Sequence, residues 1–172
     1  MKMDGTVVNW PSLKIYDFRC GRQHAILRDR SGELYGYGDN NFGQLGLPKE
    51  TSHCDKPTKI YAFERSVTIQ YSCGAYHSVV QNDHGRVYVF GRNNKNQLGF
   101  DNQHDSVFFP VCHHKLKPFN NIVSVTCSSN TTYVMTKENK VFAFGNNSHG
   151  QCGASPEKFL FTSDLSQIVL VQ

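Results

Sequence analysis

Three segments decide the fold: CGRQHAILRDRSGELYGYGDNNFGQLG (Cys20–Gly46), CGAYHSVVQNDHGRVYVFGRNNKNQLG (Cys73–Gly99) and CSSNTTYVMTKENKVFAFGNNSHGQCG (Cys127–Gly153). Their first residues are 53 and then 54 residues apart, and the segments align without a gap. Outside the segments, Pro57 and Pro110 are also 53 residues apart. A fixed period of this length is typical of a repeat protein, in which each unit buries apolar side chains against its neighbours. The sequence therefore predicts a row of similar units.

Each segment contains the pattern of a β-hairpin. In the first, His24–Leu27 and Leu34–Tyr37 are short apolar and aromatic runs around a turn that ends at Gly32. Such runs around a glycine-ended turn favour two antiparallel strands. The second segment has its turn glycine at Gly85, whereas the third has Asn139. Because asparagine also tolerates the left-handed backbone conformation, the same turn is predicted in all three segments.

Two further strands are predicted in each unit. One precedes the cysteine, and the other follows the proline, because an edge strand tolerates proline. The strands before the cysteines are predicted at Ile15–Phe18, Thr68–Tyr71 and Ile122–Val125, and the outer strand of the first unit at Thr58–Tyr61. Three to four short strands in each 53-residue unit match the size of one β-propeller blade. The predicted fold class is all-β, an open arc of about three β-propeller blades.

Small residues, cysteines and histidines recur at the repeat period. We expect the glycines to serve tight turns, the cysteines to be core residues, and the histidines to make structural hydrogen bonds between blades. These structural repeat positions are Cys20, Gly21, His24, Gly32, Gly38 and Gly46; then Cys73, Gly74, His77, Gly85, Gly91 and Gly99; then Cys127, Asn139, Gly145 and Gly153.

The pattern C-G-x-x-H, a hairpin and then G-x-N-x-x-x-Q-L-G resembles the repeat of the regulator of chromosome condensation family. The third unit departs from it, with Ser128, Thr131 and Cys152 in place of the glycine, the histidine and the leucine. The resemblance covers nearly the whole chain and implies blades of a seven-bladed propeller. The full pattern stands at Cys20, Gly21, His24, Gly38, Asn40, Gln44, Leu45 and Gly46, and again at Cys73, Gly74, His77, Gly91, Asn93, Gln97, Leu98 and Gly99.

The domain prediction is one repeat domain over residues 1–172. Its units are placed at 4–56, 57–109 and 110–163, with the start of a further unit at 164–172 whose strand is Ile168–Val171. Three blades cannot close a ring, since propellers typically have about four to eight. Because an open arc leaves strand edges unpaired, we expect either a fragment or truncated product, or an arc whose ring is completed by more chain or by another subunit.

No metal or cofactor site is predicted. The six cysteines include no C-x-x-C pair, which is the usual spacing of zinc ligands. A mixed site that uses Cys54 with His53, or Cys112 with His113 and His114, would lack a second ligand pair.

No catalytic site is predicted either. The stretch Gly36–Gly43 lacks the spacing of a phosphate-binding loop and is interpreted as a tight inter-strand turn. One interpretation would make His24 and His77 general bases, with Asp29 and Asp83 as their orienting carboxylates. The third unit does not maintain this arrangement. We therefore expect a protein that is not an enzyme.

Composition restricts the partners. The chain of 172 residues is 38% apolar and 12% aromatic, with a net charge of +4. Its densest basic stretch, His113–Lys117, is short and interrupted, which argues against nucleic acid or chromatin as the partner. Residues 1–10 have no apolar run of the kind found in signal peptides, and no stretch reaches the roughly 18 apolar residues of a spanning helix. We expect an intracellular protein, cytoplasmic or nuclear, that does not bind membranes.

Two functions from different classes remain. The first is a non-enzymatic protein–protein interaction scaffold, because propeller rims present loops on a rigid frame. The alternative, implied by the resemblance, is guanine-nucleotide exchange on a small Ran-like GTPase; this activity needs an inserted wedge, and the inter-repeat segments show no clear insertion. The possible interaction residues are Asp39, Asn41 and Phe42 in the first loop, Arg92, Asn94 and Lys95 in the second, and Asn146, Ser148 and His149 in the third.

Overall fold

Short strands separated by turns and loops make up the chain. The computed structural model describes residues 10, 12–61, 63, 66–100, 105–119, 121–153 and 161–162. Within these residues lies one 3-10 helix, His114–Leu116. The strands are β1 (Ile15–Cys20), β2 (His24–Asp29), β3 (Leu34–Asp39), β4 (His53–Lys59), β5 (Thr68–Cys73), β6 (His77–Asn82), β7 (Val87–Arg92), β8 (Ser106–Cys112), β9 (Ile122–Ser128), β10 (Thr131–Thr136), β11 (Val141–Asn146) and β12 (Phe161–Thr162).

The strands form three antiparallel sheets of four strands each, which we call the first, second and third blades. Their orders are β1-β2-β3-β4, β5-β6-β7-β8 and β9-β10-β11-β12, so each blade is a meander of consecutive strands. The hairpins have the same register, with His24 opposite Gly38 and His77 opposite Gly91. This arrangement confirms the repeat and the all-β fold class. The predicted strand Ile168–Val171 lies outside the described residues.

The hairpin turns confirm the interpretation of the glycine-to-asparagine change. Gly32 and Gly85 have φ of +85° and +73°, and Asn139 has φ of +59°. All three are in the left-handed region, which glycine and asparagine take at lowest cost. A polar side chain supports the turn, since Asp29 Oδ1 accepts hydrogen bonds from the backbone N–H groups of Ser31 and Glu33 at 2.9 and 3.0 Å.

The outer strand of the first blade does not lie where it was predicted. The prediction at Thr58–Tyr61 was wrong in its bounds, because β4 runs from His53 to Lys59 and includes Pro57. Pairing begins directly after the loop, with His53 opposite Asp39, and the register shifts between Cys54 and Thr58, a stretch that contains Pro57. The first residues of β4 are polar and have low strand propensity. They form a strand because their backbone pairs with β3. As predicted, the proline strand is at the sheet edge.

Another boundary correction concerns the stretch Gly36–Gly43, which was predicted to be a turn. Its first half lies inside β3, and only the part after Asp39 is a loop.

The core consists of two apolar clusters, one at each seam between blades. The first cluster packs Ile26 and Leu45 of the first blade against Tyr71 and Phe90 of the second. At the next seam, Val79 and Leu98 lie in the same cluster as Val134 and Phe144. Large buried aromatic and aliphatic side chains at every seam hold the blades in fixed relation, because interiors are closely packed.

The repeat cysteines match the core prediction only in part. Cys73 and Cys127 are partly buried against the two clusters, and burial raises the pKa of each thiol to about 12. Cys20 is exposed, so the core interpretation is wrong for that residue. The reason is its position: Cys73 Sγ lies 3.5 Å from the carbonyl oxygen of Arg19 in the preceding blade, whereas no described blade precedes the first.

Among the described residues, no helix is both long enough and apolar enough to cross a membrane.

Candidate interaction surface

The loops after β3, β7 and β11 and the turns before β2, β6 and β10 lie at one end of the blades. Backbone hydrogen bonds join them, because Asp39, Arg92 and Asn146 donate to residues of these turns at 2.8 to 2.9 Å. We call this end the loop face. The β2–β3, β6–β7 and β10–β11 hairpin turns lie at the opposite end of the same strands.

A buried asparagine holds each loop on the loop face. Its side-chain oxygen accepts the backbone N–H five residues later. In the first two blades its amide also donates to backbone carbonyls further along the loop. Since a buried backbone group without a partner is costly, this one side chain fixes the path of the loop. The bonds are Asn40 with Leu45 (2.9 Å) and Thr51 (2.7 Å), Asn93 with Leu98 (3.0 Å) and Phe100 (3.1 Å), and Asn147 with Cys152 (2.8 Å).

A glutamine closes the tip of each loop in the same way. Its side-chain oxygen accepts the backbone N–H of the residue two positions earlier. The pairs are Gln44 with Phe42 (2.9 Å), Gln97 with Lys95 (2.8 Å) and Gln151 with His149 (2.9 Å). The asparagine and glutamine of the repeat pattern therefore build one loop shape three times, while the residues between them differ.

The structure places every candidate interaction residue on the loop face. The strand-ending residues are half-buried, and the loop tips range from half-buried to exposed. Half-buried are Asp39, Phe42, Arg92, Asn94, Lys95 and Asn146, and exposed are Asn41, Ser148 and His149.

The repeated histidines connect neighbouring blades, as predicted. His24 Nε2 lies 3.0 Å from Ser78 Oγ, and His77 Nε2 lies 2.9 Å from Thr132 Oγ1. Ser78 donates its hydroxyl proton to the carbonyl of Gln44 at 2.8 Å. Because a hydroxyl has one proton to donate, His24 donates to Ser78 and carries its proton on Nε2. The same reasoning applies at the next seam, where Thr132 donates to Gln97 at 2.7 Å.

Burial keeps both histidines neutral, because it lowers the pKa of His24 to about 4 and that of His77 to about 3. His24 and Asp29 stand at opposite ends of β2, and His77 and Asp83 are likewise separated by the length of β6. Neither pair has the geometry of a general base with its orienting carboxylate, for which the two groups must be within hydrogen-bond reach.

Two departures of the third unit, Ser128 and Thr131, follow from the size of the histidine ring. A Cβ at Gly21 would lie 2.1 Å from Cε1 of His24 and 2.5 Å from the carbonyl oxygen of Gly74. A side chain at this position therefore does not fit beside the histidine ring. In the third blade Ser128 replaces the glycine where Thr131 replaces the histidine, so the two changes are one physical change.

One group on the loop face was not predicted as a unit. The seam cluster, which we define as Arg22, Phe42, Tyr76 and Arg92, lies across the first seam. The guanidinium carbon of Arg92 is 4.5 Å from the centre of the Phe42 ring and 5.7 Å from that of Tyr76. Arg22 is 5.8 Å from the Tyr76 ring, and the two rings meet edge to face at 5.4 Å.

Sequence reasoning missed Arg22 and Tyr76. The sequence did contain a signal for them. The two positions between the C-G pair and the histidine of the pattern differ from unit to unit, as the loop residues do. Arg22 corresponds to Ala75 and Ser129 in the other units.

The described residues contain no group of three or more histidine, cysteine, aspartate or glutamate side chains placed to hold a metal ion. The residues considered for a mixed site have other surroundings: Cys54 is in the first apolar cluster, and His113 Nδ1 accepts the N–H of Leu116 at 3.2 Å.

Comparison with known families gives two matching models, both described as the regulator of chromosome condensation (RCC1) repeat. One matches residues 31–81 and 84–135. The other matches residues 15–44, 69–97 and 122–151, which begin at or one residue after the first residue of β1, β5 and β9.

Similar curated proteins include X-linked retinitis pigmentosa GTPase regulator of Mus musculus, 36% identical over 140 residues and covering 78% of the chain. Another is probable E3 ubiquitin-protein ligase HERC3 of Homo sapiens, 34% identical over 139 residues and covering 81%. The chain spans 13% of the length of each.

Among solved structures, yeast RCC1 (Prp20) bound to Kap60 matches with a TM-score of 0.77 and 20% identity. The match covers 91% of this chain and 37% of that one. The three sheets therefore have the arrangement of part of an RCC1-type propeller.

Proposed function

The chain belongs to the regulator of chromosome condensation (RCC1) repeat family, and from this premise we propose that it is a non-enzymatic scaffold whose loop face binds protein partners. The main observation behind the proposal is that the three loops share one backbone shape but differ in the side chains that they expose. One loop shape is built three times by an asparagine and a glutamine side chain, all of them buried except Gln151, and the residues that the loop presents differ from blade to blade.

Preorganisation favours binding on this surface. Asn40, Gln44, Asn93, Gln97 and Asn147 are all buried. Loops held by such side chains are already ordered, so a partner does not have to order them on binding, which otherwise costs affinity. The strand-ending residues Asp39, Arg92 and Asn146 (listed in blade order) are acidic, basic and neutral, so one frame offers three different contacts.

The relatives support protein partners in general terms. One relative is named a GTPase regulator and another a probable ubiquitin ligase, and the yeast RCC1 structure contains Kap60. In all three, the part similar to this chain lies within a longer chain. A shared binding module, rather than one shared reaction, is the simplest role for the repeats in such different proteins.

The absence of an enzyme activity is part of the proposal. The two repeat histidines, His24 and His77, are buried and neutral, and they are occupied in hydrogen bonds between blades. Ser78 beside His24 is fully buried and its hydroxyl proton is donated to a backbone carbonyl. A serine in that position is not available to attack a substrate.

We also propose an intracellular location. All six cysteines are free thiols, and disulfides are rare in reducing compartments but common in secreted proteins.

A second candidate function, nucleotide exchange on a small GTPase, is favoured by the name of the mouse relative. The described segments between strands hold only the 3-10 helix His114–Leu116, which is too short to act as the inserted wedge that we expect for exchange. The scaffold is therefore preferred for these residues.

The test is capture of partners from native extract with the tagged chain, once with EDTA and once with magnesium and excess GTP. Two variants accompany the wild type, each with one truncated side chain per blade. The loop variant is Asn41→Ala/Asn94→Ala/His149→Ala. The matched turn variant, at the opposite end of the blades, is Arg30→Ala/His84→Ala/Lys137→Ala.

The proposal predicts proteins that the wild type and the turn variant both capture, that the loop variant loses, and that do not depend on nucleotide. A small GTPase enriched only in EDTA would instead support exchange, since exchange factors prefer the nucleotide-free form. Equal capture by the loop and turn variants would refute the scaffold on the loop face.

A further inference from the structure

We propose that the seam cluster is the binding site for an acidic segment of a protein partner, with Arg22 and Arg92 pairing with its carboxylates. This inference rests on the proposed function, because it names the chemistry of the partner that the loop face takes.

The geometry prepares both guanidinium groups for such a ligand. Arg92 lies 4.5 Å from the Phe42 ring, and Arg22 lies 5.8 Å from the Tyr76 ring. An aromatic face attracts a guanidinium through its quadrupole and occupies the flat side of the group. The in-plane N–H donors, which match a carboxylate in pairs, are left available.

Neither arginine has a carboxylate partner among the described residues. The described ion pairs within 4.0 Å include neither Arg22 nor Arg92. The acidic residue of the same loop, Asp39, accepts instead from the side-chain amides of Asn41 and Gln44.

Arg28, which has a structural role, differs from Arg22 and Arg92 in its hydrogen bonds. Arg28 makes two hydrogen bonds to the carboxylate of Asp17, at 3.0 and 2.8 Å, and a third to the carbonyl of Thr68 at 3.1 Å. Arg28 is therefore satisfied within the protein, whereas the two arginines of the seam cluster have positive charge and N–H donors to offer.

The repeat itself shows that the fold does not require the seam cluster. The equivalent positions at the second seam hold Ala75, Lys95, Asn130 and Asn146. The backbone there is the same, since Asn146 donates to the carbonyl of Asn130 at 2.9 Å, as Arg92 does to Tyr76 at 2.8 Å. Two arginines and two aromatic rings at the first seam alone are better explained by a ligand than by packing.

The chemistry favours an acidic protein segment over nucleic acid. Nucleic-acid surfaces spread lysine and arginine over a stripe that follows many phosphates. Here the net charge is +4, and two arginines lie together on aromatic rings. Such a compact site fits one or two carboxylates, with the rings covering the adjacent apolar part of the segment.

The test measures fluorescence anisotropy with three labelled probes: a twelve-residue peptide of alternating Glu and Ser, the same peptide with Gln in place of Glu, and a twelve-nucleotide oligo-dT. The seam variant, Arg22→Ala/Tyr76→Asn/Arg92→Asn, installs residues that the second seam already has on the same backbone, so it should fold. The control, Arg30→Gln/Lys137→Gln, removes two exposed positive charges at the opposite end of the blades.

We expect the wild type to bind the Glu peptide about tenfold more tightly than the Gln peptide, since a charged hydrogen-bonded pair contributes about one such factor. The seam variant should lose that preference, and the control should keep it within about twofold. Higher salt should weaken binding of the Glu peptide more than that of the Gln peptide.

Three results would overturn the inference: no preference for the Glu peptide, equal binding by the seam variant, or tighter binding of oligo-dT. If the peptide test fails while the loop variant still loses captured proteins, the acidic partner is wrong and the scaffold stands. If both fail, the loop face is not the binding surface.

Discussion

Replacing Thr132 by valine should break the polar connection between the second and third blades. Thr132 is fully buried on β10, where it accepts from His77 and donates to Gln97. Valine has nearly the same shape, so the change removes the two hydrogen bonds and leaves the packing in place. The Nε2–H of His77 and the carbonyl of Gln97 then lose this partner inside the seam.

The magnitude follows from those two groups. A buried donor or acceptor that loses its partner costs about 1–3 kcal/mol. Two such groups predict a loss of about 2–6 kcal/mol in the free energy of unfolding. This is a large part of the stability of a domain, which is typically about 5–15 kcal/mol.

The assay is urea unfolding followed by circular dichroism, with the free energy taken from the midpoint and slope. Thr126→Val is the matched control, because it makes the same substitution at an exposed position on the neighbouring strand β9. The control should change the free energy by no more than about 0.5 kcal/mol.

A double-mutant cycle with His77→Leu adds a second criterion. If the histidine and the threonine act through one hydrogen bond, the double variant should lose less than the two single losses combined, with a coupling of about 0.5–3 kcal/mol. A loss below about 1 kcal/mol for Thr132→Val, or additive losses in the cycle, would refute the reasoning.

Three further predictions concern other features of the fold. Burial holds the folded pKa values of His24, His77 and His113 at about 4, 3 and 4, below the unfolded value of about 6.5. The unfolded chain therefore binds more protons in acid. Stability should be level above that value and fall by about 2 kcal/mol per histidine from pH 7 to pH 5, measured as urea midpoints; a level profile over this range would contradict the neutral, buried assignment. Asn139→Gly should leave the melting temperature unchanged or slightly raised, whereas Asn139→Val should cost about 1–2 kcal/mol because of the left-handed backbone; equal melting temperatures for the two variants would be inconsistent with the turn. Asn93→Ala should cost about 1–3 kcal/mol and speed amide exchange of Leu98, and unchanged exchange there would mean that the asparagine does not hold the loop.

The hairpins could be predicted from the sequence because their turns depend on the backbone preference of a single residue. A glycine at Gly32 or Gly85 and an asparagine at Asn139 specify the same left-handed residue, so the turn could be predicted without knowledge of the neighbouring blades. The histidine bonds between blades could be predicted for a related reason, because a buried polar group recurring at the repeat period needs a recurring partner.

Features that depend on contacts between distant residues could not be predicted in the same way. The polar start of β4 becomes a strand through backbone pairing with β3, which the residues of β4 do not encode. Cys20 is exposed because no described blade packs against it, although it holds the same place in the repeat as the partly buried Cys73. The seam cluster joins residues from two blades that are up to 70 positions apart in the sequence, such as Arg22 and Arg92, and only the packing of the blades brings them together.

The measurement that tests the central claim most directly is hydrogen–deuterium exchange of the chain alone and with a partner captured by it. If the loop face is the interaction surface, the partner should slow exchange in the loops after β3, β7 and β11, at residues 40–46, 93–99 and 147–153. The hairpin turns at residues 30–33, 83–86 and 137–140 should exchange as in the free chain. Slower exchange at the hairpin turns or along the outer strands, with the loops unchanged, would contradict the account.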